Sequence, residues 1–330
     1  METIDAANTV NLSSHHTGEA MESSFAENFY LPFLQSAQNA DGGWGFYPGS
    51  LSRVEPTCWA LIALAEFQSG EEVGERLSRG FQFLRASQLP VGSWPAAPEQ
   101  EAGCWVSSLA CWALVSNKES TDAVAAGLRW LCEDWPKDSS PLRRMLKKFS
   151  SMREFAQHND SYRGWGWTPR TSSWVEPTSF ALIALSQCPR ELLPRSAARR
   201  RQLARSMLFD RMCPGGGWNC GNPRTYGVDG ESLVIPTSWA LIALREEQDR
   251  PEIAASLAWL KKNLSGIQGS SSLAVARLCL EIFGEQHLIT DQKLKDAFSK
   301  NEFLRNTVAT SWHCLVYSKS QRWRAQPVMV

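Results

Sequence analysis

Two kinds of apolar pattern alternate along the chain. One kind is apolar on all sides, as in residues 59–64, which is typical of a helix buried on every face. The other kind places apolar residues three or four positions apart, which is typical of an amphipathic helix. An example is the set Val73, Leu77, Phe81 and Leu84. The alternation therefore predicts buried helices that each have an amphipathic helix beside them.

The buried segments are copies of one another. Each clear copy has a Gly-Trp pair, then Pro-Thr, then a run of Ala, Leu and Ile. The Trp and Pro pairs are Trp44 and Pro56, Trp165 and Pro177, and Trp218 and Pro236, with weaker copies around Trp94 and Trp312. Proline suits the first turn of a helix because its missing N–H would have no partner there. Each copy therefore predicts one loop followed by one buried helix.

Counting both patterns gives six buried and six amphipathic helices. The buried ones lie near 55–68, 103–116, 175–187, 235–246, 270–283 and 306–317, and the amphipathic ones near 25–37, 73–87, 120–132, 192–211, 250–263 and 287–299. An additional helix is predicted at 141–157. Two concentric rings of six helices form an all-α (α/α)6 barrel, which is the predicted fold class. Residues 1–24 are expected to form a disordered tail and residues 25–330 a single barrel domain.

Residues 79–94 match a full QW repeat, which contains Gln, Gly and Trp at fixed spacing. The motif residues are Gln88, Gly92 and Trp94 in this copy, and Gln38, Gly42 and Trp44 in another. On these motifs the chain resembles the terpenoid cyclase and protein prenyltransferase superfamily, and particularly the squalene-cyclase-like repeat proteins. The resemblance implies that the Gln and Trp side chains tie outer helices together. It also implies an enzyme of isoprenoid metabolism, acting on a prenyl or polyprenyl chain in a Trp-lined barrel cavity.

The resemblance suggests one catalytic position. Class II cyclases of the superfamily protonate an alkene or epoxide with an Asp-x-Asp-Asp-Thr motif. Aligned on Thr57, Glu55 takes the place of the proton donor, and Arg53 and Pro56 replace its acidic neighbours. Arg53 and the start of a helix should favour the ionised form of Glu55. Glu176 repeats the Glu-Pro-Thr pattern, so both glutamates are interpreted either as candidate catalytic residues or as carboxylates that cap helix entrances.

The third repeat has the longest loop, 219–235, which is expected to cover the cavity mouth because long loops on a rigid scaffold often carry function. Asp229 in this loop is a third candidate catalytic residue, and a solvated charge is the alternative. Aromatic faces stabilise cations and provide apolar area for a prenyl chain. The candidate substrate-binding aromatic residues are Trp105, Trp174, Tyr226 and Trp312. Trp59 and Trp239, at matching repeat positions, are instead predicted to pack between the rings of helices.

A second hypothesis is that the chain binds zinc. Protein prenyltransferase β subunits hold zinc with an Asp-x-Cys motif and a later His, and the nearest features here are Cys58 and His313. Cys and His are suitable zinc ligands. No cofactor is expected under the cyclase interpretation, whereas the zinc-dependent β-subunit alternative would need a partner subunit. A noncatalytic barrel that binds an isoprenoid or a protein is the remaining alternative.

Composition narrows the function classes further. The chain has 34 Lys and Arg against 34 Asp and Glu, so it lacks the basic surplus that nonspecific nucleic-acid binding requires. Nine Cys without framework spacing favour free thiols in a reducing compartment. With no apolar run long enough to span a membrane and no secretory signal pattern, we predict a cytoplasmic protein. Basic runs near 195–205 and 143–148 predict solvated faces; contact with an anionic membrane surface or a partner protein is the alternative.

Overall fold

The computed structural model describes residues 26–67, 71–119, 121–133, 136, 158–300 and 306–318. In chain order the α-helices within these ranges are α1 Leu31–Ser36, α2 Val54–Ala65, α3 Glu71–Ala86, α4 Val106–Ser116, α5 Thr121–Glu133, α6 Val175–Gln187, α7 Ala197–Asp210, α8 Val234–Ala243, α9 Pro251–Asn263, α10 Ser270–Ile282, α11 Asp291–Lys300 and α12 Thr307–Val316. The predicted tail 1–24 and the predicted helix 141–157 lie outside the described residues.

The even-numbered helices form a closed inner ring, and the odd-numbered helices surround it. Each inner helix packs against the next inner helix, and α12 packs against α2, which closes the ring. In the outer layer α3 packs on α2, α5 on α4, α7 on α6, α9 on α8, α11 on α10, and α1 on α12. The predicted (α/α)6 barrel is therefore confirmed. Two predicted helix starts differ from the structure: α1 begins at Leu31 because residues 26–30 form a π-helix, and α7 begins at Ala197, five residues late, because Pro194 disfavours helical backbone before it.

Four tryptophans connect the two layers through hydrogen bonds. The backbone N–H of each donates to a hydroxyl on the following inner helix, at 2.8–2.9 Å. The indole N–H of each donates to a leucine carbonyl on the preceding outer helix, at 2.6–2.9 Å. The sets of tryptophan, hydroxyl and leucine are Trp44, Thr57 and Leu34; Trp94, Ser107 and Leu84; Trp165, Thr178 and Leu131; and Trp218, Thr237 and Leu208. We call Trp44, Trp94, Trp165 and Trp218 the loop tryptophans.

The QW glutamines join consecutive outer helices, as the resemblance implies. The Gln38 side-chain N–H2 donates to the Gly42 carbonyl in its own loop and to the Arg76 carbonyl on α3. Gln88 makes the equivalent pair of bonds to its own loop and to α5. Gly42 has φ +87°, and a Cβ there would lie 2.5 Å from the Arg79 carbonyl oxygen, so only glycine fits between loop and helix.

Neighbouring repeats are also linked where the inner helices begin, an end of the barrel that we call the mouth. The carbonyl two residues after each loop tryptophan accepts a bond from the N–H at the start of the preceding inner helix, at 2.9–3.3 Å. The donor and acceptor pairs are Val54 and Ala96, Trp105 and Trp167, Val175 and Cys220, and Thr307 and Phe46. The last pair joins the final inner helix to the first loop, so backbone hydrogen bonds complete the ring of repeats at this end of the barrel.

The basic run near 195–205 is not a uniformly solvated face. Arg200 is fully buried, and its guanidinium lies 3.9 Å over the Trp165 ring while donating to the carbonyls of Arg163 and Gly164. This residue therefore supports the Trp165 loop. Within the described ranges, no helix combines the length and the hydropathy needed to cross a bilayer.

We predict that Thr178→Val lowers the free energy of unfolding by about 1–3 kcal/mol, because it leaves the buried Trp165 N–H without an acceptor. Urea unfolding monitored by circular dichroism measures the change. Thr168→Val, an exposed position in the same loop, is the control and should change stability by less than about 0.5 kcal/mol. Equal effects of the two substitutions would contradict the role given to the Thr178 hydroxyl.

Candidate active site at the barrel mouth

Two glutamates interrupt the otherwise buried starts of inner helices. Every residue of α2 is buried except Glu55, and Glu176 is the equivalent exception at the start of α6. Helical residues four positions apart share a face. Glu55 therefore lies one turn on the mouth side of Trp59, and Glu176 one turn on the mouth side of Phe180. The same carboxylate-above-aromatic arrangement thus occurs in two inner helices.

Both glutamates hold a proton more tightly than an exposed carboxyl does. Burial raises the pKa of Glu55 to about 7, and the negative charge of Glu176 adds to the increase. Burial also raises the pKa of Glu176. Around them, burial raises the pKa of the Cys58 and Cys104 thiols, with a further contribution from Glu55. The mouth is therefore an environment in which Glu55 is substantially protonated at neutral pH.

The expectation that Arg53 favours an ionised Glu55 is wrong. The Arg53 guanidinium is directed to Glu99 at the rim, with Nη2–Oε1 and Nη1–Oε2 distances of 3.1 and 3.3 Å. No hydrogen bond or ion pair holds the Glu55 carboxylate among the residues that the structure describes. Loss of water around the carboxylate consequently outweighs the favourable field of the helix start.

Aromatic side chains line the mouth beside these glutamates. Trp105, directly before α4, stacks on Phe180 with ring centroids 5.5 Å apart and meets the edge of Trp167 at 5.0 Å. Trp174 is partly exposed at the rim and lies against Gly221. A cavity of about 10 Å³ next to Trp105 has room for about one water molecule. Of the predicted substrate-binding residues, Trp105 is thus the one that contacts Phe180, the ring one turn below Glu176.

Five rings from five inner helices meet at the barrel axis. This axial cluster consists of Trp59, Trp112, Phe180, Trp239 and Trp312. Trp59 contacts the other four rings, and centroid distances within the cluster are 5.2–6.4 Å. Trp59 and Trp239 therefore pack against each other across the axis, and not between the two rings of helices as predicted. Trp312, a predicted substrate-binding residue, belongs to this cluster.

The indole nitrogens of the axial cluster differ from those of the loop tryptophans. Each loop tryptophan donates its indole N–H to a carbonyl, whereas the buried Nε1 atoms of Trp59, Trp112, Trp239 and Trp312 have no hydrogen-bond partner. The buried hydroxyls of Ser238 and Thr310, on the same inner helices as two of these rings, also lack one. An unpaired buried donor costs about 1–3 kcal/mol. The axis of the barrel thus holds several donors that the fold leaves unused.

The loop of the third repeat forms a hairpin with strands β1 Arg224–Thr225 and β2 Val228–Asp229. Tyr226 and Gly227 form its tip with positive φ angles, and the Tyr226 side chain is 67% exposed. Asp229 is 56% exposed and pairs with Arg224 at 3.4 Å. Asp229 is therefore a solvated carboxylate, unlike the half-buried Glu55 and Glu176.

The structure gives the zinc alternative no support. The His313 nitrogens lie 3.4 Å from the Tyr30 hydroxyl and 3.2 Å from the Ser270 carbonyl. Burial lowers the pKa of His313 to about 3, so the ring is neutral and packs beside Phe298. Among the described residues, no group of three or more His, Cys, Asp or Glu side chains is placed to hold a metal ion. Within the described ranges Cys58 thus has no set of co-ligands to join.

Comparison with known proteins confirms the resemblance at the level of the fold. No family model matches the chain. Mouse lanosterol synthase is 37% identical over 73 residues, which is 19% of this chain and only 10% of that enzyme. The type II terpene cyclase MstE from Scytonema superposes with a TM-score of 0.60 at 14% identity, covering 92% of this chain and 99% of the cyclase. A variant of the same cyclase has been solved with geranylgeranyl dihydroxybenzoate as its substrate.

The barrel is shared beyond terpene cyclases. Cellobiose 2-epimerase from Spirochaeta thermophila also superposes with a TM-score of 0.60, at 12% identity over 96% of this chain and 99% of the epimerase. The chain therefore has the (α/α)6 toroid of terpene cyclases and epimerases. Because one fold carries such different reactions, the fold alone does not determine the activity of this chain.

We predict that Glu55 makes the protein less stable as the pH rises. The folded state holds the Glu55 proton up to a pKa of about 7, against an ordinary value of 4.5. Its stabilising effect is therefore complete below pH 4.5 and is lost as the pH rises through 7, by up to about 3 kcal/mol. Glu55→Gln should remove this dependence and exceed the wild type in stability above pH 7, as measured by urea unfolding between pH 4.5 and 8.

The matched control for this titration is Glu101→Gln, an exposed carboxylate in the following loop. It should keep the pH dependence of the wild type. A Glu55→Gln variant with the wild-type dependence would show that Glu55 titrates normally.

Proposed function

We propose that the chain is a terpene-cyclase-like enzyme of isoprenoid metabolism in which Glu55 is the general acid and Glu176 the general base. The observation that carries the proposal is the pair of half-buried glutamates at the mouth, both with raised pKa. General acids and bases work best when their pKa lies near the working pH. The isoprenoid class comes from the QW resemblance and from the fold shared with type II terpene cyclases.

The acid strength of Glu55 suggests the kind of isoprenoid that reacts. A carboxylic acid with a pKa of about 7 is a weak donor to the carbon of an unactivated alkene. Oxygen is a more basic site, so an epoxide matches this acid better. The absence of the acidic neighbours found in the Asp-x-Asp-Asp-Thr motif agrees with this choice, because Arg53 and Pro56 provide no second carboxyl beside Glu55.

The proposed reaction is an isomerisation with a balanced proton transfer. The Glu55 O–H proton passes to the epoxide oxygen as a C–O bond breaks and leaves a carbocation. A C=C bond of the same chain attacks the cation and forms a C–C bond. The ionised Glu176 then removes a proton from the carbon beside the new cation, which forms a C=C bond. The proton returns from Glu176 to Glu55 through solvent.

Aromatic rings near both glutamates support a cationic intermediate. Trp105 and Phe180 are stacked beside α6, and Trp59 lies one turn below Glu55. A cation over such a face gains about 0.5–2 kcal/mol, with the larger value when water is excluded.

A noncatalytic isoprenoid-binding barrel is the second candidate. The axial cluster favours it, because rings 5.2–6.4 Å apart leave no passage for a long prenyl chain through the middle of the barrel. In this case a prenyl chain would bind at the mouth without changing its carbon skeleton. Contact of a basic face with an anionic membrane surface stays a prediction from the sequence.

We predict that the wild type converts a farnesyl-chain terminal epoxide to isomers of unchanged mass, as measured by gas chromatography and mass spectrometry. Glu55→Gln should lower kcat by about 100-fold or more, because it removes the general acid. The wild-type rate should fall as the pH rises above 7, since Glu55 then loses its proton.

Glu101→Gln is again the control and should retain the wild-type kcat. Tight binding of the epoxide with no product from the wild type would support the noncatalytic barrel and refute the enzyme. Full turnover by Glu55→Gln would remove Glu55 from the role of the acid.

A further inference from the structure

A groove on the outer surface of the barrel lies between α7 and the segment that joins α8 to α9, away from the loops of the mouth. Its volume is about 350 Å³. Its polar lining residues are Arg201, Gln202, Arg205, Ser206, Glu247 and Arg250. We propose that this groove, which we call the arginine groove, binds the phosphate group of a small molecule. The site is separate from the proposed reaction at the mouth and does not depend on it.

Two elements supply the three arginines of the groove. Arg201 and Arg205 are four residues apart on α7, so their side chains share one face of the helix. Arg250 comes from the other wall, directly before α9. Its guanidinium lies 3.9 Å over the Phe209 ring and is held by both carboxylate oxygens of Glu252. Three guanidiniums therefore line one groove.

The protein satisfies Arg201 and Arg205 much less well than Arg250. A guanidinium has five N–H donors. Arg201 makes no hydrogen bond with the residues that the structure describes, and its Nη2 atom is 3.6 Å from Glu246. Arg205 donates from Nη2 to the same carboxylate, and its Nε atom has no hydrogen-bond partner within the described ranges. Most of the donors on these two side chains are thus left for a ligand or water.

The positive charge of the pair is only partly neutralised. Arg201 and Arg205 share the carboxylate of Glu246, and Glu247 reaches the Arg205 Nε atom only at 3.9 Å. Burial lowers the pKa of Arg201, and the charge of Arg205 adds to the decrease. Like charges one turn apart destabilise a helix, so an anion between the two guanidiniums would relieve their repulsion.

A ligand in solution can reach these guanidiniums. The side chains of Arg201 and Arg205 are 22% and 26% exposed, and that of Arg250 is 44% exposed. Ligand sites in proteins have volumes of about 300–1,000 Å³. The arginine groove therefore has room for a small molecule without any movement of the helices.

A phosphate group suits this set of donors. Guanidinium groups bind phosphate through pairs of parallel N–H bonds, and a phosphate ester presents three strong acceptor oxygens around one atom. Arg201 and Arg205 can each contact one side of such a group. Gln202 and Ser206 add neutral donors in the same groove.

An anionic membrane is a poorer occupant of this surface. The segment that forms one wall carries Glu246, Glu247 and Asp249, and Glu252 lies in the first turn of α9. An extended layer of anionic headgroups would lie against these carboxylates as well as against the arginines. A small phosphate ester avoids that repulsion because it contacts the groove alone.

Inorganic phosphate is the probe, titrated by calorimetry into the full chain at constant ionic strength. We expect one saturable site per chain. The double variant Arg201→Gln and Arg205→Gln should weaken binding by about tenfold or more, because charge-assisted hydrogen bonds are lost. Glu246→Gln should strengthen binding by about twofold to fivefold, because it removes the carboxylate that competes for both guanidiniums.

The matched control is the double variant Arg195→Gln and Arg199→Gln. Both residues are exposed, belong to the same basic run and lie outside the groove, so the control removes the same amount of charge. Its affinity for phosphate should stay within about twofold of the wild type, since salt screens distant exposed charges. Absence of saturable binding to the wild type, or equal weakening by the two double variants, would overturn the proposal.

Two other roles for the arginines predict different results. If the ion pairs only join α7 to the segment after α8, Glu246→Gln should lower the unfolding midpoint without any gain in affinity for phosphate. If the basic run contacts a membrane, the chain should bind vesicles of phosphatidylcholine and phosphatidic acid but not free phosphate. Either result would overturn the arginine groove as a phosphate site. Absence of turnover at the mouth, in contrast, would refute the proposed enzyme and leave this inference in place.

Discussion

The hydrogen bonds of the loop tryptophans are the constraint on which the barrel depends. Each of these residues is held at two points, by a hydroxyl on an inner helix and by a carbonyl on an outer helix. One side chain therefore fixes the spacing of the two layers and the level at which the next inner helix begins. Because the unit recurs four times, several inner helices start at the same end, and the mouth is the place where their first residues come together.

This alignment explains the electrostatics of the candidate site. A glutamate at the second position of one inner helix would be an ordinary carboxylate at a helix start, stabilised in its ionised form. Placing Glu55 and Glu176 at the same end of a ring of apolar helices removes water from both and adds repulsion to Glu55. The same scaffold that orders the loops thus raises the pKa of both carboxyls, that of Glu55 to about 7.

The helices and their arrangement could be predicted from the sequence. The protonation of Glu55 and the hydrogen bonding of the tryptophans could not. The Pro-Thr starts and the period of the apolar residues determine the helices locally, so their number and order follow from the chain alone. The spacing from Glu55 to Trp59, repeated from Glu176 to Phe180, was a visible signal for a carboxylate above an aromatic ring. The protonation of Glu55 was not visible, because it depends on residues from other helices and on Arg53 turning to Glu99. Nor does sequence distinguish Trp44, whose N–H is paired, from Trp59, whose N–H is not.

Closure of the backbone between Thr307 and Phe46 distinguishes this repeat protein from an open solenoid. In an open array each repeat contacts only its neighbours, and a terminal repeat can unravel while the others persist. Here the first and last inner helices are neighbours, so every repeat has two flanking repeats and no repeat is terminal. Loss of any single unit would open the ring and expose its aromatic axis to water. Such a molecule is expected to unfold in one cooperative step, without a partly unwound species along the way.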